Sequence, residues 1–192
     1  MTREQLEHII RACAAITNQY DFIIVGSQSI LGHDPNPPSE FTASMEADVY
    51  PLNAPHLIDE IEGAIGEFSD FHLANGYYAE GVDPNLAKLP SDWMTRVNKI
   101  QNENTLGYAG YCLDVLDLFL AKAVAGRDKD RDFCQALLKY GYVNVEAALS
   151  KVPLILQLEL LALQGDVAQG AVGHGANQGF LEVGLGQRVG MG

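Results

Sequence analysis

The sequence predicts an α+β (α/β) fold: a small mixed β-sheet with helices on one side, then a C-terminal helical segment. Three observations lead there. An apolar stripe of helical period opens the chain, and short apolar or alternating runs bounded by Gly and Pro follow, with one amphipathic helix among them. From Leu113 onward the pattern is helical.

Taken in order, residues 2–17 read as a helix. Thr2 and Gln5 form a capping box, and Leu6, Ile9, Ile10, Cys13 and Ile16 recur on one face. Phe22 to Val25 is a short buried strand. Gly32 to Glu40, "GHDPNPPSE", is a loop, because three prolines cannot continue a regular element. In "TASMEADVYP" the alternation puts Ser44, Glu46, Asp48 and Tyr50 on one face of a strand that Pro51 ends.

"APHLIDEIEGAIGEF" is an amphipathic helix with Leu57, Ile58, Ile61, Ile65 and Phe68 turned inward. "GYYAEGV" and "RVNKIQ" read as two further strands, separated by a loop that holds Trp93. Beyond them, "LDVLDLFLAKAVAGRDKDRDFCQALLKYG" contains one or two helices with a bend near Gly126 and a stop at Gly141. Asn144 caps another helix, and Pro153 is placed to open one more. The resulting boundaries are 1–112 for the α/β core, 113–163 for a helical segment packing on it, and 164–192 for a tail expected to be flexible. Nine of that tail's 29 residues are Gly.

Composition narrows the function. The chain has 192 residues, 47% hydrophobic and 19% charged, as ordinary globular proteins do. It contains no run of 18 apolar residues, and "MTREQLEHII" is not a signal peptide, so a cytoplasmic protein without a membrane partner is expected. Cys13, Cys112 and Cys134 form no CxxC pair and sit in apolar settings, which predicts buried free thiols. The histidines show no zinc spacing.

A formal charge of −13 argues against broad nucleic-acid binding. Yet Lys122, Arg127, Lys129 and Arg131, four of only twelve basic residues, fall within ten positions. In an acidic chain so local a concentration of positive charge asks for a local explanation, which a solvated helix face could also supply.

Two motifs carry chemistry. Gly26-Ser27 ends the first strand without matching GxGxxG, a Walker loop or GxSxG. Such a turn serves either as a corner or as a phosphate cradle of backbone N–H groups and a hydroxyl. Glu46 and Asp48, two apart on a strand, point the same way with Cβ atoms roughly 6–7 Å apart. They form either the solvated face of an edge strand or a seat for a hard divalent cation.

In combination, "VGSQS", "MEADVY", "GYYA", LP-x-x-W and K-x-x-A-x-R-x-K-D resemble the polymerase β-like nucleotidyltransferases, in particular their minimal, AbiEii-like branch. The resemblance covers residues 20–142. It implies Mg²⁺-dependent transfer of NMP from an NTP to a hydroxyl of a protein, small molecule or RNA end, with Mn²⁺ as the substitute metal. Gly26 and Ser27 would hold the NTP phosphates, Glu46 and Asp48 would ligate the metal, and Lys122 would meet a phosphate. Arg127, Lys129 and Asp130 would complete or brace that site. The catalytic set implied is thus Glu46, Asp48 and Lys122.

Two features depart from the family pattern: the first acid is Glu, and 18 residues separate Ser27 from Glu46. For a third carboxylate the sequence offers Glu80, Asp130 or Asp132 without choosing. A catalytically inactive nucleotide-binding or antitoxin-like interaction protein is the alternative, and a protein partner or a homo-oligomer fits either reading.

Overall fold

The computed structural model describes residues 1–155. The end of the expected helical segment, 156–163, and the Gly-rich tail, 164–192, lie outside the described residues. Helix α1 (Arg3–Thr17) opens with the anticipated capping box. The Gln5 N–H donates to the Thr2 hydroxyl and the Thr2 N–H to the Gln5 side chain.

The five strands are β1 (Asp21–Val25), β2 (Glu46–Pro51), β3 (Tyr78–Gly81), β4 (Asn98–Ile100) and β5 (Ala109–Cys112). They form one mixed sheet in the order β3-β2-β1-β5-β4. The β1–β2 and β4–β5 pairs are antiparallel, while β1–β5 and β2–β3 are parallel.

Register assigns the two faces of this sheet. Ala47, Val49, Ile24, Phe22 and Gly110 share one face, and Glu46, Asp48, Val25, Ile23 and Glu80 share the other. α1 and α3 (Ile58–Ile65) cover the first face, with Ile10 over Gly110 and Ile58 against Gly81. Phe22, Ile24, Val49, Ile61, Ile9 and Ile10 are fully buried there. Each such side chain contributes about 1.5–3 kcal/mol to folding. The second face, freed from that packing, can carry polar groups.

Strand β5, in "GYAGYC", was not anticipated from the sequence. Its Gly110 is demanded by packing: a Cβ there would sit 2.5 Å from the Ile10 side chain. A buried strand was thus written in turn residues.

The helical half has α5 (Val115–Ala125) and α6 (Asp128–Lys139), separated by Gly126 at φ 66°. A further helix, α7, runs over 145–155, and the Asn144 side chain caps it by accepting from the Glu146 and Ala147 N–H groups. Pro153 lies inside α7 rather than opening a new helix. The loop before β4 is tied to both α5 and α7. Arg96 donates twice to buried Asp117 (2.9 and 2.7 Å), and Asp92 bridges Arg96 (2.6 Å) and Lys151 (2.8 Å).

Between β2 and β3 the chain differs again from expectation. α3 ends at Ile65, and Phe68, expected to face inward, is exposed at φ 64° before the short α4 (Asp70–Asn75). Gly66 and the Ser69 N-cap break the apolar period one turn early. Ser44 likewise falls outside β2, which begins at Glu46.

Candidate active site

Glu46 and Asp48 lie on the second sheet face, and the parallel pairing of β2 with β3 sets Glu80 directly beside Asp48. One carboxylate oxygen from each of the three comes within 4.8 Å of the others. Burial, and then the neighbouring Glu46 and Glu80, push the Asp48 carboxyl up to about 7. Glu80 rises to about 7 through its hydrogen bond with Glu46, aided by burial and by the charges of Glu46, Glu62 and Glu67.

Glu46 behaves oppositely. Burial opposes its ionisation, but hydrogen bonds from Glu80, Asp48 and Tyr78 outweigh that and hold it below the ordinary range. The Tyr78 hydroxyl donates to Glu46 Oε2 at 3.1 Å. Three carboxylates from two paired strands, one oxygen of each within 4.8 Å of the others, form an oxygen donor set that fits a hard divalent cation.

The Gly26 turn abuts this cluster. Val25 pairs with Asp48, so the next residue passes over the Asp48 carboxylate. Gly26 has φ 65°, and a Cβ there would fall 1.6 Å from Asp48 Oδ2, so only glycine fits. Ser27 follows in a single 3₁₀ turn, Ser27–Ser29, leading into the four-residue α2, Ile30–His33.

Opposite stand α5 and α6. Asp130 is fully buried and accepts from Lys122 Nζ (3.1 Å) and from Arg127 Nε (2.5 Å). Burial opposes the Asp130 charge, but Arg127 and Lys122 prevail and hold its carboxyl below the usual range. The Lys122 ammonium also lies 4.5 Å from the centre of the Phe133 ring. Phe41 packs edge-on against Phe133 (5.0 Å between centroids) and Tyr142 (5.4 Å), closing that wall.

A cleft of about 660 Å³ separates the walls, lined by Gly26, Ser27, the three acids, Lys122, Arg127 and Lys129 among others. Its dimensions suit a nucleotide. A comparison with protein families adds what geometry alone cannot. The model of a family described as "Nucleotidyltransferase of unknown function (DUF6036)" matches residues 4–151. The chain belongs to this nucleotidyltransferase family. Searches of curated proteins and of solved structures returned no match.

For a nucleotidyltransferase family member, the placement of the anticipated residues is informative. Gly26, Ser27, Glu46, Asp48, Lys122, Arg127 and Lys129 all line one cleft. Asp130 does not line it; both its oxygens are engaged by Lys122 and Arg127, so it braces rather than supplying a third acid. Asp132 is exposed on α6, outside the acid cluster.

Glu80 completes the cluster. The sequence left it level with two other acids because its partnership with Asp48 depends on strand register, not on local spacing. Tyr78 was missed altogether, and its signal was its place two residues before Glu80 on the same strand face.

Proposed function

We propose that the protein is a Mg²⁺-dependent nucleotidyltransferase that moves NMP from an NTP to a hydroxyl acceptor. The reading rests on one observation: three converging carboxylates face three cations across a single nucleotide-sized cleft. Glu46, Asp48 and Glu80 would hold the metal, with Mn²⁺ as a substitute. When bound it neutralises triphosphate charge and polarises the reacting phosphoryl group.

The chain's own residues do the rest. Ser27 and the turn at Gly26 bind phosphate oxygens. Lys122 and Arg127, pre-set by Asp130, offset charge on the departing pyrophosphate. The acceptor oxygen bonds to the α-phosphorus, the bond from that phosphorus to the β-bridging oxygen breaks, and pyrophosphate leaves. Glu80, the most exposed of the three acids, receives the acceptor's proton.

The order of the motifs favours the AbiEii-like branch. Three buried free thiols and the need for NTP suit the cytoplasm, and no helix among the described residues is long and apolar enough to cross a membrane. An inactive, antitoxin-like binding protein drew its support from a missing third acid, and the position of Glu80 weakens that support. The test is to incubate α-labelled NTPs, Mg²⁺ and cell lysate with the wild type and with Asp48→Ala. The wild type is expected to label an acceptor and the variant not to. Failure of the wild type to bind any NTP at millimolar concentration would sink the proposal.

A further inference from the structure

Gln28 is 1% exposed, yet its side chain is only half satisfied. Its amide nitrogen donates to the Ser44 carbonyl at 3.1 Å, whereas its carbonyl oxygen is buried with no hydrogen-bond partner among the described residues. An orphaned buried oxygen costs stability that a methionine of similar shape would not. A residue that breaks the packing rule without a local gain points to a gain elsewhere.

The gain lies in what Ser44 does. Its carbonyl accepts from Gln28 and from the Met1 amine (2.8 Å), and its hydroxyl accepts from the Glu46 N–H (3.2 Å). Gln28 sits in the 3₁₀ turn that begins at Ser27, and Ser44 stands two residues before the first acid of β2. One side chain therefore spans from the Gly-Ser turn to the segment that enters the acid-bearing strand. On the far side of the turn the same two elements already meet where Gly26 abuts Asp48.

We infer that Gln28 is a positioning residue: by fixing Ser44 it holds Glu46 in register with Asp48 and Ser27, so that metal and phosphate ligands act as one rigid unit. The proline-rich stretch 34–38, which lengthens the path from Ser27 to Glu46, makes such a tie necessary. The inference rests on reading Glu46 as a metal ligand and Ser27 as a phosphate ligand. Gln28 is not among the residues that line the cleft.

The test uses the full chain with Mn²⁺ alone, and Mn²⁺ with each NTP, followed by electron paramagnetic resonance and by thermal melting. Gln28→Met is expected to melt at or above the wild-type temperature while binding Mn²⁺ about fivefold or more weakly. Ser44→Ala should weaken Mn²⁺ binding too, and Gln28→Met/Ser44→Ala should lose little beyond the larger single loss. Unchanged Mn²⁺ and NTP binding in Gln28→Met overturns the inference. So does a fall in melting temperature that accounts for the binding loss, since that marks a packing role. A wild type that binds neither Mn²⁺ nor NTP overturns the metal-site reading and this inference with it.

Discussion

The two walls of the cleft solve opposite electrostatic problems. On the sheet wall, Glu46, Asp48 and Glu80 face one another, with one carboxylate oxygen of each within 4.8 Å of the others. Burial, and then Glu46 and Glu80, push the Asp48 carboxyl up to about 7, and the Glu46 hydrogen bond and burial do the same for Glu80. On the helical wall, Lys122 and Arg127 are each paired with Asp130, itself fully buried. The helical wall pairs Lys122 and Arg127 with a carboxylate, while the sheet wall sets three carboxylates against one another. A surface built for stability would resemble the first throughout; the second is compatible with a bound divalent cation.

The difference predicts opposite responses to loss of a carboxylate. Asp48→Asn removes one of three crowded charges, so the melting temperature should hold or rise, while Mn²⁺ affinity should fall by about 10²-fold or more. Calorimetric titration and melting on the same sample read both. A melting temperature that drops with the affinity would mean that Asp48 is a structural acid and that the contrast between the walls is false.

Asp130→Ala should behave in reverse. It strands Lys122, only 9% exposed, without its anionic partner, and breaking a buried pair in this way costs about 3–5 kcal/mol. Urea unfolding at pH 7 measures it. The sign with pH follows from the depressed Asp130 carboxyl. Its contribution is fully present above the unfolded-state value of about 4 and is lost as pH falls through the lower folded value. The stability gap between wild type and Asp130→Asn should therefore narrow in acid. A gap that stays constant from pH 7 to about pH 3 would show that the ion pairs with Lys122 and Arg127 are not its source.

The same contrast explains what was legible in the sequence. The Glu46-x-Asp48 pair and the Lys122 to Asp130 run are local patterns, set by strand and helix period, and both walls could be located from them. The capping box of α1 and the helix break at Gly126 are local too. Glu80 was legible only as one of three candidate acids, because its place beside Asp48 is a register between strands some thirty residues apart. Strand β5 was hidden by Gly110, whose reason is the Ile10 side chain about a hundred residues away. The resemblance left open whether Asp130 completes or braces the site, and the ion pairs that Lys122 and Arg127 make with it favour the brace. What the chain writes locally it shows; what packing decides, it does not.

The smallest effect tests whether the helical wall is itself graded. Lys129 lines the cleft, is exposed, and has no ion pair among the described residues, yet its charge reaches Glu46. An exposed cation of this kind is worth about 0.2–1 kcal/mol, and screening removes most of that at high salt. Lys129→Gln should therefore raise the dissociation constant for an NTP by about two- to fivefold at low ionic strength, with little change left near 1 M salt. Lys122→Gln, at a buried and braced position, should lose more and keep its deficit in salt. Nucleotide titrations at the two ionic strengths separate them. If both variants respond to salt alike, Lys122 meets the phosphate as a solvated surface charge, and the Asp130 brace serves the fold alone.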